Sequence, residues 1–108
     1  MSEQVTIVDV ATARGWIEAG EAVVVDVREQ NEWDAGHIKG AILRPLSTWD
    51  SDELPPVPAG KHLLLHCRSG SRCGMATQRL LEDGYQGPIN RMGGGLLAWV
   101  AAGAPIEE

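Results

Sequence analysis

The chain has 108 residues, with nine Lys and Arg against fifteen Asp and Glu, a formal net charge of −6 and a pI near 4.9. That length predicts one domain over 1–108 with its core at about 5–106, and 44% hydrophobic with 22% charged residues is an ordinary globular balance. Net acidity argues against nucleic-acid and anionic-membrane partners, because phosphate surfaces demand local Lys and Arg. No apolar run approaches the roughly 18–20 residues that cross a bilayer. The start, Met1-Ser2-Glu3-Gln4, lacks the basic and apolar regions of a secretory signal, so the expected location is cytoplasmic.

In chain order, Thr6-Ile7-Val8 reads as a first strand and Asp9 as the N-cap of a helix over Ala11–Ala19, stopped by Gly20. Ala22–Val27 is a strand whose continuous apolar run fits burial on both faces. A short helix is predicted over Gln30–Ala35, ended by Gly36, and a strand over Ala41–Leu43, stopped by Pro45. Ser47–Gly60, with Pro55, Pro56 and Pro58, reads as a surface loop. Lys61–His66 is a strand, Arg72–Glu82 a helix capped at Gly84, and Ile89–Arg91 a last strand. Gly93-Gly94-Gly95 turns the chain into a final helix carrying Leu96, Leu97, Trp99 and Val100. This alternation predicts an α/β domain on a mainly parallel sheet. The glycine run lacks the lysine of a phosphate-binding loop, so it reads as a tight turn.

The two cysteines, Cys67 and Cys73, lie six positions apart. A disulfide framework needs more pairs, and zinc needs four ligands, so neither metal nor organic cofactor is expected. Reactive thiol chemistry and simple burial remain. Cys67 sits at the carboxyl edge of a buried strand, before the small turn Arg68-Ser69-Gly70-Ser71-Arg72-Cys73 and a helix start. Open α/β sheets bind ligands at that edge. Successive backbone N–H groups there form an anion nest beside a helix N-terminus, which lowers the pKa of a central thiol below about 8.5. Gly70, Ser69 and Ser71 leave the centre open, and Arg68 and Arg72 add local positive charge to an acidic protein.

The chain resembles the single-domain rhodaneses, the thiosulfate sulfurtransferase family. The resemblance rests on Val25-Asp26-Val27-Arg28, Glu32-Trp33, Gly36-His37-Ile38-Lys39-Gly40-Ala41, the Cys67–Arg72 loop, Gly93–Trp99 and Gly103-Ala104-Pro105, in the family's order. It implies a rhodanese-like fold, a central five-stranded, mainly parallel sheet flanked by helices on both faces, with Cys67 carrying a persulfide. Related phosphatases and arsenate reductases carry C-x5-R; here Arg72 closes C-x4-R and Cys73 stands where their arginine would. The shorter loop suits attack on sulfur.

The implied reaction has two halves. Cys67 thiolate takes the sulfane sulfur of thiosulfate and sulfite leaves; cyanide or a thiol then removes that sulfur. The N–H groups of Arg68 through Cys73 would stabilise the persulfide anion, and Arg68 and Arg72 would draw in the thiosulfate dianion. Asp26 and Arg28 are expected to brace the site as a charged pair, and His37 to bridge backbone groups. His66 should face away from Cys67 on its strand. Cys73 is expected to be structural, with resolution of the persulfide as the alternative. Trp16, Trp33, Trp49 and Trp99 are expected mainly in the core and in helix packing, with Trp49 also a candidate for the active-site mouth. The competing functional readings are a non-enzymatic persulfide carrier or docking module serving a protein sulfur acceptor, and a Cys67–Cys73 redox switch.

Overall fold

The computed structural model describes residues 4–108; Met1, Ser2 and Glu3, part of the N-terminal segment read above for a leader, lie outside the described residues. The strands are β1 (Val5–Val8), β2 (Ala22–Asp26), β3 (Ile42–Leu43), β4 (His62–His66) and β5 (Ile89–Met92). The helices are α1 (Val10–Glu18), α2 (Gln30–Ala35), α3 (Ser71–Glu82) and α4 (Gly95–Ala101). The sheet runs β1-β5-β4-β2-β3, and every pairing is parallel. Strand β4 is central, held along β2 from Ala22↔His62 to Asp26↔His66.

Two apolar layers cover the sheet, because consecutive strand residues point to opposite faces. On one face Val25, Val27, Leu63, Leu65 and Cys67 pack with Cys73, Ala76 and Leu80 of α3. On the other, Val24, Leu64 and Met92 pack with Ala13 of α1, Trp99 of α4 and Ile38. Leu63, Leu64 and Leu65 are all buried, which accounts for their unbroken apolar run. Among the described residues, edge strand β1 pairs only with β5, and it leaves Ile7 exposed. Among the described residues no helix is long and apolar enough to cross a membrane.

The stretch from Ser47 to Gly60 is more ordered than its prolines suggest. It contains 3-10 turns at Leu46–Thr48 and Ser51–Glu53, and it buries Trp49 in the α3-side core beside Leu46, Leu54 and Val57. The Trp49 indole N–H donates to Ser51 Oγ at 3.0 Å, and Ser51 Oγ donates to Asp83 at 2.6 Å. Trp49 therefore anchors this segment to the end of α3 and belongs to the core. Trp16 and Trp33 are half-buried and stack on His62 and His37.

Candidate active site

Cys67 follows the last residue of β4, where the chain leaves the sheet at the carboxyl end of its central strand. The next carbonyls are pinned by α4. Leu96 N–H donates to Cys67 O at 2.8 Å and Leu97 N–H to Arg68 O at 3.0 Å. On the other flank, Arg91 Nη2 donates to Gly70 O at 3.1 Å. A peptide's C=O and the following N–H point in opposite directions, so carbonyls held outward turn the loop amides inward. Gly70 at φ 112° makes the bend into α3.

The product is a buried sulfur ringed by donors. Gly70 N–H lies 3.0 Å from Cys67 Sγ. The Cys73 thiol contributes most, and with the N–H groups of Cys73, Gly70 and Arg72 it holds the Cys67 pKa down to about 5, against burial, which raises it. The same exchange pushes Cys73 the other way: the Cys67 thiolate beside it and burial hold Cys73 as a thiol. Cys67 is 0% exposed, beneath the rim of its loop. Ser69 and Ser71 are exposed on that rim, and so is Arg68, which forms no ion pair among the described residues. Arg68 borders a groove of about 430 Å³ with Glu32, Leu96, Leu97 and Val100.

Arg72 is not free to draw in an anion as the sequence suggested. Its guanidinium grips Glu32 of α2 with Nη1–Oε1 at 2.6 Å and Nη2–Oε2 at 2.9 Å. This two-point clasp braces the loop against α2. Helix α2 is braced in turn by Arg28, which donates to Gly36 O at 2.7 Å and closes on Asp26 through Nε and Nη2 at 2.8–3.0 Å. Asp26 and Arg28 are 0% and 4% exposed, so the pair lies under the site as a strut rather than in it. His66, on the opposite face from Cys67, lies 3.7 Å from Asp26; burial above all holds its pKa down, leaving it neutral and unsuited to accept the Cys67 proton. His37 stands apart from the loop. It stacks on Trp33 at 3.7 Å, meets Trp33 O through Nδ1 at 3.0 Å, and bridges to Glu107 through both backbone bonds.

The Glu32–Arg72 clasp carries a test. Arg72 hydrogen bonds hold Glu32 down to about 2, from an unfolded value of 4.5. A depressed carboxylate stabilises the fold fully above its unfolded pKa, and that contribution is lost as pH falls through the folded one. With solvent screening of this half-buried pair, the loss is about 1–2 kcal/mol. Urea melts between pH 5 and 2 should therefore show the native chain losing that much more stability than Glu32→Gln. Equal slopes would mean the clasp adds nothing.

Reading the sequence alone missed three participants. Glu32 looks like an ordinary N3 acid completing the α2 capping box, and its second partner lies 40 residues away. Arg91 is a charge inside an otherwise buried strand, a pattern that does signal a special contact. The third is the N-terminus of α4, visible only as a glycine run.

Comparison with known proteins agrees with this architecture. The description "Rhodanese-like domain" matches residues 9–102. The Synechocystis protein slr1261 is 43% identical over 86 residues, covering 80% of this chain and 47% of that protein. The probable adenylyltransferase/sulfurtransferase MoeZ of Mycobacterium tuberculosis is 34% identical over 88 residues, covering 80% of this chain and 22% of MoeZ. The chain thus spans less than half the length of these two relatives. The crystal structure of a rhodanese-related protein from Thermoplasma volcanium superposes with a TM-score of 0.78 at 26% identity, covering 94% of this chain and 97% of that one. With that match over most of its length, on an all-parallel sheet with a cysteine loop at the central strand's end, this chain belongs to the rhodanese family, whose members include sulfurtransferases.

Proposed function

We propose that this chain is one rhodanese domain acting as a sulfurtransferase, with Cys67 accepting the sulfane sulfur of thiosulfate and passing it to cyanide or a thiol. The observation that carries the reading is the ring of donors around one buried sulfur. A thiolate held ready needs no general base, and amides that stabilise its charge serve equally for a persulfide anion. Cys67 Sγ attacks the outer sulfur, the S–S bond of thiosulfate breaks, and sulfite leaves with the electron pair. With Arg72 and Arg28 engaged, Arg68 is the cation left at the rim to steer the dianion against the net charge of −6.

The test is intact-mass spectrometry of the chain after thiosulfate exposure. One added sulfur atom, mapped to Cys67 in Cys73→Ser, where no second thiol can displace it, and steady formation of thiocyanate from cyanide by the native chain, are the expected results. Absence of that adduct sinks the reading. The longer relatives favour a second reading, a persulfide carrier working for a partner or a larger protein. It predicts that the adduct forms once, stoichiometrically, without turnover.

A further inference from the structure

Cys73 does more in this structure than fill the first turn of α3. Cys67 and Cys73 grip opposite ends of one residue: Gly70 N–H donates to Cys67 Sγ at 3.0 Å, and Cys73 Sγ donates to Gly70 O at 3.0 Å. Both thiols are therefore held against the same residue, and both are buried and unbridged. The Cys73 thiol donates to the Gly70 carbonyl, and the Cys67 thiolate close by holds it protonated. Arg91 stands beside Cys73 with its charge favouring the thiolate, and among the described residues its buried Nε has no hydrogen-bond partner. Gly74 makes room for that guanidinium, since a Cβ there would fall 2.8 Å from Arg91 Nη2. Cys73 and Arg91 also border a cleft of about 300 Å³ with Ser69, Ser71, Gly93 and Gly94.

We propose that Cys73 attacks the inner sulfur of a Cys67 persulfide and expels the outer sulfur as hydrogen sulfide into this cleft, so that the chain also releases sulfide. The step rests on the persulfide reading above. A bond forms between Cys73 Sγ and Cys67 Sγ, and the bond from Cys67 Sγ to the outer sulfur breaks. The electron pair leaves with the outer sulfur, and the Cys73 proton goes to it, giving HS⁻. The outer sulfur is reduced to sulfide as the two cysteines are oxidised to a disulfide. Two equivalents of a small external thiol then restore both cysteines and leave as their own disulfide. Cys73 lies within reach of the inner sulfur because both sulfurs are held 3.0 Å from the backbone of Gly70, and Arg91 favours the Cys73 thiolate that must form as its proton leaves.

Cys73→Ser keeps a hydrogen-bond donor but cannot form the S–S bond, which separates this chemistry from a structural role. The chain is loaded in parallel with thiosulfate and with inorganic polysulfide, desalted, and kept free of reducing thiol. The native chain should give a Cys67–Cys73 disulfide by peptide mass in both arms, with about one sulfide released per chain in the thiosulfate arm. Cys73→Ser should hold the extra sulfur and release sulfide roughly tenfold or more slowly. A native chain that keeps its extra sulfur, one that takes none from polysulfide, or a Cys73→Ser that releases sulfide at the native rate overturns the proposal. A disulfide from polysulfide with nothing from thiosulfate would sink thiosulfate as donor and leave the Cys73 step standing.

Discussion

Cys67→Ser should abolish sulfur uptake from thiosulfate and bring thiosulfate-dependent thiocyanate formation to the uncatalysed level, while the fold survives. Serine fits the same buried space and still accepts from the Gly70 amide, so the chain should stay folded. It gives up the stabilisation a depressed thiolate supplies, which is absent at and below about pH 5 and grows as pH rises above it. What disappears is the anion. A hydroxyl is not ionised near neutrality, and the ring of amides has no charge to hold. The same variant isolates the titration. Because Cys67 is held down to about 5, thiolate absorbance and sulfur uptake in the native chain should rise as pH climbs through that value, and level off above about pH 6–7. An unperturbed thiol would instead rise near about 8.5. Cys73 stays protonated across this range, so the low-pH absorbance step belongs to Cys67 and should vanish in Cys67→Ser. A native midpoint near that of a free thiol would remove the amide ring as the source of reactivity.

The fold was legible in the sequence wherever one residue type decides its own environment. Leu63-Leu64-Leu65 could only be covered on both sides, and that marked a buried strand with Cys67 at its end; its central position appears only in the strand pairing. The expected helices and strands fall where the apolar runs and glycines put them. The site was legible as a loop but not as a framework, because its supports join residues distant in sequence. Spacing shows that Arg72 closes the loop; it cannot show that Glu32 is waiting there, so a brace looked like a substrate anchor. Trp49 misleads similarly: three nearby prolines mark its segment as irregular, but irregular backbone still buries an indole when a core gap faces it. Asp26 and Arg28, two residues apart on one strand end, are local enough to be read as a pair from sequence, and they form one.

Gly95→Ala should damage the site from outside it. At φ +58°, a residue with a side chain is strained by roughly 1–2 kcal/mol. A Cβ at this position would also lie 2.5 Å from Cys67 O and 2.6 Å from the Arg68 carbonyl, backbone atoms that have no rotamer to yield. Helix α4 must then back away, and the Leu96 and Leu97 amides lose the carbonyls they hold at 2.8 and 3.0 Å. Leaving such groups unpaired adds about 1–3 kcal/mol, for a total of roughly 2–5 kcal/mol in urea melts. The loop effect is the more telling one: carbonyls no longer pinned outward let the peptides rotate, the inward amides disperse, and the Cys67 midpoint should climb from about 5 toward that of an ordinary thiol. Gly103→Ala is the matched control. Its φ of +76° imposes similar strain, but nothing lies within 4 Å of its Cβ, so it should cost only the strain and leave the Cys67 titration in place. If both variants leave the midpoint unchanged, the loop holds its amides without α4. If both raise it, the effect is general loosening of the fold rather than the contact at Gly95.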